Sequence, residues 1–575
     1  MVSLLHTGAR IFAFFTLLIF PFGLWAAAKA PSAVVVGAGL SGLNGALLLE
    51  EQGYRVTVLE ASDRIGGRIY TLDQVPGAPE AGGNVIGPSY ARILDRARQL
   101  NVPLVPAPQI AGGRGAMNYF IDGEFIQPVN WATAPQNTFP EKLKKVPPGG
   151  VLFGVLRPNP LANPDDWRAQ EAAAYDVPVQ ELLEKLGMDE RSQVLAGHAN
   201  SYGNSLADTS LLAMYRIATV YGLSRGLPGY PTAVDGGNQR LPEAMAKALN
   251  AEVLTGKWVT AIAQDEQGVT VTSRDGDEYR ADYALVTVPL PALRNIDIQP
   301  ALPPLQQRAV NELDYAKTFQ AFFTVSGEYW GDQTPSLWTD TRAERLFATA
   351  NAEGEVSNIT MWTTGEEALE FGRLSGEAQE NAVYDALYAI YPDARGKVEL
   401  KAVRDWSNDA LAGGSWLRWQ PGQITEFAEV LAQPAGRLFF AGEHTAITNT
   451  GMEGAMESAE RAVGEIMEVN QPAQAADLDG EQLFVYCQGC HATAAGEAHK
   501  LGPNLHGFYG QARASREGYD YSEALAGAGG DWDREKLRQW LLEPQQAVPG
   551  NRMIYTNMYD EAELEALLDY LATLE

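Results

Sequence analysis

Short apolar runs alternate with segments of helical periodicity near the start of the chain. Residues 33–36 form a β-branched run of the kind found in buried parallel strands. Glycines follow, and residues 40–52 then repeat apolar side chains with the period of an amphipathic helix. A second β-branched run spans residues 55–59. We therefore predict that the chain opens with a βαβ unit.

The pattern changes further along the chain. Residues 256–289 alternate apolar and polar positions around an Asp-Gly turn, which predicts paired strands. An apolar strand is predicted at residues 437–441, followed by a helix from Met452 to about residue 467. Residues 468–480 are polar and lack large apolar side chains, which is typical of a linker. Residues 481–575 have a separate, helix-rich pattern.

The first residues have the layout of a secretory signal peptide. Arg10 supplies a positive charge, residues 11–25 are apolar apart from Pro21, and residues 26–28 are alanines suited to cleavage. We predict a signal peptide at residues 1–28, and hence a periplasmic or otherwise exported protein. The alternative is an uncleaved anchor, but the apolar run is short for a membrane-spanning helix. No stable membrane span is expected after cleavage.

The 575 residues carry a formal net charge of −29. This charge argues against a nucleic-acid partner, whose phosphates it would repel. It favours cationic small molecules and basic partners, or serves solubility alone. The chain has only two cysteines, so a disulfide framework is excluded apart from one bridge between them.

A dinucleotide-binding fingerprint lies in the first βαβ unit. Gly37, Gly39 and Gly42 fit G-x-G-x-x-G between a predicted strand and helix. The first glycine permits the tight turn, the second lets the backbone approach a pyrophosphate, and the third allows close packing of helix on strand. Glu60 follows the second strand, where an acid accepts a hydrogen bond from a ribose hydroxyl.

The residues after Glu60 select the cofactor. Glu60, Arg64, Gly67 and Arg68 form the string E-x-x-x-R-x-G-G-R, and residues 82–88 read GGNVIGP. Both strings resemble the flavin amine oxidase family, which binds FAD. Arg64 and Arg68 are expected to place positive charge near the FAD phosphates or the flavin.

A third string, at residues 437–462, resembles the C-terminal FAD motif of the same family. In that resemblance Glu443 lies by the pyrophosphate and ribityl chain, and the helix that starts near Met452 directs its positive end at the flavin. Val259 matches the strand whose backbone contacts the adenine.

The resemblance implies an α/β and α+β fold with two domains. A Rossmann-like FAD domain is expected at residues 32–95, 232–298 and 412–467. A substrate-binding domain is expected at residues 96–231 and 299–411.

The residues expected on the substrate side of the flavin match the family less closely. Trp416 resembles one wall of the family's aromatic cage, although a packed core tryptophan explains it as well. The second wall falls at Thr450 or Gly451, and neither is aromatic. Some relatives bond FAD to a cysteine at the position of Ser415; since serine forms no thioether, non-covalent FAD is expected.

Lys317 resembles the family lysine that holds a water at flavin N5, although an exposed strand end explains it as well. Relatives that act on amino acids carry an arginine after the Gly-Gly pair, whereas residues 84–86 here are Asn-Val-Ile. An amine is therefore preferred over an amino acid as the substrate.

The two cysteines lie in a haem-attachment motif. Cys487, Cys490 and His491 form C-x-x-C-H, in which the cysteines bond the haem vinyl groups and the histidine ligates iron. The alternatives are a redox dithiol or half of a zinc site, and zinc lacks a second cysteine pair here. One covalent haem c is therefore predicted.

The tail at residues 481–575 resembles class I cytochrome c, an all-α fold. That resemblance makes Met553 the sixth ligand, and Met/His ligation raises the haem potential. Met558, His499 and His506 are weaker candidates.

Together these features predict a periplasmic flavocytochrome amine dehydrogenase. It would oxidise an amine to an imine by hydride transfer to FAD, with electrons leaving singly through haem c. The onward acceptor would be an external protein such as a soluble cytochrome or a copper protein. The alternatives are an oxygen-using amine oxidase that forms peroxide, and oxidation of a non-amine substrate on the same fold.

Overall fold

The structure is a computed structural model that describes residues 30–107, 117–225, 227, 229–350, 354–470 and 479–574. The predicted signal peptide and residues 471–478 of the predicted linker lie outside the described residues.

Strands and helices are interspersed along most of the described chain. In chain order, the strands are β1 (Ser32–Val36), β2 (Arg55–Leu59), β3 (Leu104–Pro106), β4 (Asn118–Ile121), β5 (Glu124–Ile126), β6 (Thr232–Val234), β7 (Val253–Leu254), β8 (Val259–Asp265), β9 (Gly268–Ser273), β10 (Glu278–Ala281), β11 (Tyr283–Val286), β12 (Asp297–Gln299), β13 (Asp314–Tyr315), β14 (Thr318–Val325), β15 (Leu337–Thr339), β16 (Arg345–Ala350), β17 (Val356–Thr364), β18 (Val398–Asp405), β19 (Leu417–Arg418) and β20 (Leu438–Phe440). The α-helices are α1 (Leu40–Glu51), α2 (Ala91–Gln99), α3 (Val151–Gly154), α4 (Val179–Lys185), α5 (Glu190–Gly197), α6 (Leu211–Ser224), α7 (Arg240–Ala248), α8 (Leu290–Leu293), α9 (Pro304–Glu312), α10 (Gly365–Gly372), α11 (Gly376–Tyr388), α12 (Gln423–Phe427), α13 (Gly451–Asn470), α14 (Gly480–Leu483), α15 (Glu523–Gly527), α16 (Arg534–Leu542), α17 (Pro544–Ala547) and α18 (Glu561–Ala572).

A five-stranded parallel sheet, in the order β20-β11-β1-β2-β7, carries the predicted βαβ unit. The prediction is confirmed: β2 has the predicted bounds, β1 begins one residue earlier, and α1 ends at Glu51. Every residue of β1 is buried. Because parallel strands end at one edge of the sheet, the glycine loop after β1 and Glu60 after β2 lie side by side.

The strands predicted at residues 256–289 form β8 to β11. Strands β8, β9 and β10 pair as an antiparallel meander, whereas β11 joins the parallel sheet between β1 and β20. Val259 begins β8 and is buried.

A seven-stranded sheet, in the order β18-β14-β17-β16-β15-β4-β5, lies within residues 96–231 and 299–411. Directly paired residues on neighbouring strands share one face of a sheet. Arg404, Gln320, Trp362 and Arg345 are paired in this way across β18, β14, β17 and β16. They form a row of large polar and aromatic side chains on a single face.

Residues 479–574 contain helices α14 to α18 and no strand, which agrees with the predicted helical tail. The last helix is capped at Asp560, whose side chain accepts the N–H groups of Ala562 and Glu563. Helix α14 packs on α18, and the following turn at Phe484–Tyr486 packs on α13. No helix in the described ranges is long and apolar enough to cross a membrane.

Candidate functional site

The loop after β1 is shaped by its three glycines. Gly37 has a left-handed φ of +108°, and a Cβ at Gly42 would lie 1.9 Å from the Gly37 carbonyl oxygen. A Cβ at Gly39 would meet no described protein atom within 4 Å, although Gly39 lies on a cavity wall. Packing within the protein therefore requires Gly37 and Gly42, whereas Gly39 keeps space open for a ligand.

The start of α1 points at the same cavity. Its N-cap, Gly39, has no side-chain hydrogen bond, and its first turn has no acidic residue. Leu40 and Ser41 line the cavity. The unsatisfied N–H groups and the positive end of the helix dipole make this turn a site for a phosphate.

Glu60 is fixed by hydrogen bonds at the edge of the cavity. Its Oε2 accepts the Ala38 N–H at 2.9 Å, and its Oε1 accepts the Ser62 N–H at 2.9 Å and the Ser62 hydroxyl at 2.8 Å. A carboxylate has about four lone-pair sites, so acceptor capacity remains for a ribose hydroxyl.

The two arginines of the motif have different roles. The Arg64 guanidinium donates to three carbonyl oxygens within residues 65–69, at 2.6 to 3.3 Å, and so braces the loop. The Arg68 Nη1 donates to the Ser415 carbonyl oxygen at 2.8 Å and to the Glu443 Oε2 at 3.3 Å. Arg68 therefore ties the loop to the C-terminal motif, 375 residues away in sequence.

One cavity of about 430 Å³ brings the predicted FAD residues together. Of the residues predicted from sequence, its lining includes Gly37, Gly39, Glu60, Arg64, Gly67, Arg68, Val259, Trp416, Glu443 and Met452. Gly42 lies behind it in the packing of α1 on β1. The open space at Gly39, the uncapped helix start and the acceptor at Glu60 fit FAD.

The substrate end of the cavity has a polar and aromatic floor. Gln320, Trp362 and Arg404, from the row across the seven-stranded sheet, line it. Trp416 lines the cavity as well, and its Nε1 donates to the Ser201 carbonyl oxygen at 2.9 Å. The sequence did not single out Gln320 or Trp362, because these residues line the cavity only through the register of their strands.

A tyrosine from another part of the chain approaches the predicted second cage wall. Gly451 has a φ of +60°, and a Cβ there would lie 3.6 Å from the Tyr90 hydroxyl. Tyr90 and Tyr202 are both half-buried, and desolvation raises the pKa of both phenols. Tyr202 packs edge-on against Phe153. Tyr90 is thus an aromatic residue beside position 451, although it is not among the residues that line the cavity.

Lys317 does not line the cavity. Its Nζ forms an ion pair with Asp314 at 3.0 Å and donates to the Gly413 carbonyl oxygen at 2.9 Å. The neighbouring Thr318 does line the cavity, and its hydroxyl is hydrogen bonded to the Ser415 hydroxyl. The flavin-side role of Lys317 stays a prediction, and its ammonium group is engaged with other partners.

A second cavity contains the predicted haem residues Cys487, Cys490, His491 and Met553. The His491 Nδ1 lies 2.8 Å from the Pro503 carbonyl oxygen. Because a carbonyl only accepts, Nδ1 carries the proton, and Nε2 is left to bind iron. These residues fit a covalent haem.

The structure distinguishes among the weaker candidates for the sixth haem ligand. Met553 and Met558 both line the second cavity, whereas His499 and His506 do not. The His499 Nε2 donates to the Glu517 carbonyl oxygen, and its Nδ1 accepts the Asn504 N–H. His499 therefore has no free nitrogen for iron.

The alternatives for the cysteine motif find no support. Burial raises the pKa of each thiol to about 12, whereas redox dithiols need a lowered pKa. Over the described ranges, no three His, Cys, Asp or Glu side chains form a metal-binding group.

Helix α13 borders both cavities. Met452 and Ala455 line the first, and Glu453 and Glu457 line the second. The sequence contains a signal for this arrangement, because Glu453, Glu457 and Glu460 recur at helical spacing on one face. Arg92, which pairs with Glu453 and Glu460, comes from α2 and could not be predicted from that spacing.

Comparisons with known proteins agree with this geometry. The family described as flavin containing amine oxidoreductase matches residues 40–467, and the cytochrome c family matches residues 478–575. The human flavin-containing amine oxidase B is 26% identical over 471 residues, covering 76% of this chain and 85% of that protein. An L-amino acid dehydrogenase of Synechocystis is 26% identical over 473 residues, covering 78% and 97%.

Solved structures share the fold of the larger part. The cyclohexylamine oxidase of Brevibacterium oxydans has a TM-score of 0.63 and 22% identity, covering 77% of this chain and all of that one. A putrescine oxidase bound to putrescine has a TM-score of 0.62 and 20% identity, covering 76% and 99%. With the FAD-type cavity, the haem-type cavity and both family matches in place, the chain belongs to the flavin-containing amine oxidoreductases and carries a cytochrome c domain at its C-terminus.

Proposed function

We propose that this protein is an exported flavocytochrome amine dehydrogenase. It oxidises an amine to an imine, and the electrons leave singly through the cytochrome domain to an external acceptor such as a soluble cytochrome or a copper protein. Bound FAD supplies a two-electron hydride acceptor, and haem c supplies a one-electron acceptor. The observation that carries the proposal is the first turn of α13, which lines the FAD cavity with Met452 and the haem cavity with Glu453.

The residues present favour non-covalent FAD and a single covalent haem. By the family resemblance, Ser415 takes the position of the cysteine that bonds FAD in some relatives, and its hydroxyl is hydrogen bonded to Thr318. The chain has only two cysteines, and both line the haem cavity. Export is consistent with haem attachment outside the cytoplasm, and the predicted signal peptide supports it.

An amine substrate is supported by the aromatic side chains around the substrate end. Trp416 and Trp362 line the cavity, and Tyr90 lies against Gly451. Aromatic faces orient amines and stabilise their cationic form. Because oxidation needs the neutral amine, we expect turnover to rise with pH on the alkaline side.

Anaerobic mixing with a panel of primary, secondary, aromatic and polyamine substrates tests the proposal. We expect flavin absorbance to bleach first and haem reduction to follow. The Cys487→Ser/Cys490→Ser variant is the matched control, because it should bleach its flavin without any haem signal. Stoichiometric peroxide in air with the haem left oxidised would instead identify an oxygen-using amine oxidase. No reduction by any substrate would reject a catalytic role for the flavin site.

A further inference from the structure

The cytochrome domain and the FAD domain share a continuous apolar core. One buried cluster contains Val463 and Ile466 of α13 together with Leu483 and Phe484 of the cytochrome domain. Domains that move relative to each other usually meet through smaller and more polar surfaces. This contact is therefore of the kind that stays closed.

A glycine on α13 makes the contact close. A Cβ at Gly464 would lie 2.0 Å from the Tyr486 hydroxyl, so the tyrosine rests directly on the helix backbone. Tyr486 is 8% exposed and packs edge-on against Tyr559 within the cytochrome domain. A larger residue at Gly464 would therefore displace the Tyr486 ring from this contact.

A buried ion pair crosses the same contact. The Lys500 Nζ lies 2.9 Å from the Asp95 Oδ2, and the two side chains are 9% and 6% exposed. Lys500 belongs to the cytochrome domain and Asp95 to α2. Asp95 also pairs with Arg98 at 2.6 Å, so the loss of Lys500 leaves it one partner, and the cost is smaller than that of leaving a buried charge without compensation.

Arg92 links this contact to both cofactor cavities. Its Nε lies 2.6 Å from Glu460 and its Nη1 lies 3.2 Å from Glu453, both on α13. Burial lowers the pKa of Arg92, but the two carboxylates outweigh it and raise the pKa well above its ordinary value, so the side chain stays charged. A Cβ at Gly489, between the two cysteines, would lie 2.9 Å from the Arg92 Cγ. The haem-attachment loop thus rests on Arg92.

We propose that the cytochrome domain remains docked on α2 and α13 throughout turnover, and that Arg92 is the positioning residue that holds the haem-attachment loop against the first turn of α13. The role of this docking in electron transfer rests on the proposed function. It implies that electrons cross one helical turn, the turn of Met452 and Glu453, without any swing of the cytochrome domain on the linker.

Hydrogen–deuterium exchange on the full, cofactor-loaded chain tests the docking without any substrate. We expect the amides of α2 and of Gly454 to Gly464 to stay protected in both the oxidised and the dithionite-reduced protein. Gly464→Leu should deprotect them, whereas Gly527→Leu should not, because a Cβ at Gly527 meets no described atom within 4 Å. Lys500→Glu gives a milder second variant, with an expected shift of about 100-fold in the docking equilibrium. Its matched control is Lys536→Glu, which breaks an exposed pair within the cytochrome domain.

Electron transfer itself is then followed after photochemical reduction of the flavin, which needs no amine. We expect the rate of haem reduction to be independent of solvent viscosity and of extra residues inserted at positions 471–478. A rate that falls with viscosity, or α2 amides that exchange freely in the wild type, would overturn permanent docking even if the haem is reduced. Protected amides with no haem reduction would instead leave docking intact and reject the proposed function.

Discussion

Replacing Gly39 and Gly42 separately by alanine tests the FAD site, because the structure assigns the two glycines different roles. A Cβ at Gly42 would lie 1.9 Å from the Gly37 carbonyl oxygen and 2.9 Å from the Thr287 hydroxyl, so backbone must shift to admit it. We expect Gly42→Ala to destabilise the FAD-free protein by about 3 kcal/mol, the upper end of the usual cost of overpacking. A Cβ at Gly39 meets no described atom within 4 Å, so Gly39→Ala should change that stability by less than about 0.5 kcal/mol.

FAD binding should respond in a different way. A methyl group at Gly39 would occupy cavity space beside the start of α1, and a clash of about 1–3 kcal/mol with the bound ligand weakens FAD affinity about 10- to 100-fold. The assay is a flavin fluorescence titration of FAD-free, haem-containing protein, with thermal unfolding by circular dichroism and haem absorbance as the control for the cytochrome domain. Wild-type FAD affinity in Gly39→Ala would refute the close approach of the cofactor to this backbone. An unchanged melting temperature in Gly42→Ala would refute the packing argument.

The remaining predictions concern the haem ligand, a buried carboxyl group and the aromatic wall. Met553→Leu should lower the haem potential and alter the haem spectrum, whereas Met558→Leu should do neither in a redox titration; the reverse result would move the axial ligand to Met558. Burial raises the pKa of Glu344 from its ordinary value to about 7, so the folded protein keeps a proton that the unfolded chain releases, and stability falls as pH rises from about 4.5 to 7. Glu344→Gln should therefore be more stable than the wild type at pH 8, by up to about 3 kcal/mol, and equal to it near pH 4.5; parallel melting curves at all pH values would contradict this. Tyr90→Ala should raise the KM for amines more than Tyr90→Phe does in steady-state kinetics, because the ring fills space beside Gly451, which lines the cavity; equal effects would give the role to the hydroxyl.

Local chemistry allowed much of the cofactor binding to be predicted from the sequence. The glycine fingerprint, Glu60 and the C-x-x-C-H motif each depend on residues that are neighbours in sequence, so their spacing alone carries the geometry. The bounds of β2 and α1 followed from side-chain periodicity to within one residue. The contacts that join the first FAD motif to the third were predicted only through the resemblance of both to one family.

Other parts of the site depend on how distant segments pack. Gln320, Trp362 and Arg345 became one row through the register of three strands, and no local pattern marks them as neighbours. Tyr90 lies beside Gly451 although the two residues are more than 300 positions apart in sequence, and no local pattern predicts that contact. Lys317 was paired with Asp314 and Gly413, although its place in the motif directed it to the flavin.

The same division holds for the junction of the two domains. The sequence alone predicts that one chain contains both a flavin fingerprint and a haem motif, because each motif consists of a few residues close together in sequence. Only the tertiary structure shows that Arg92 pairs with Glu453 and Glu460. The same is true of the pair between Lys500 and Asp95. Such pairs form where the packing of distant helices excludes water and leaves opposite charges as each other's available partners, and that packing is a property of the whole fold.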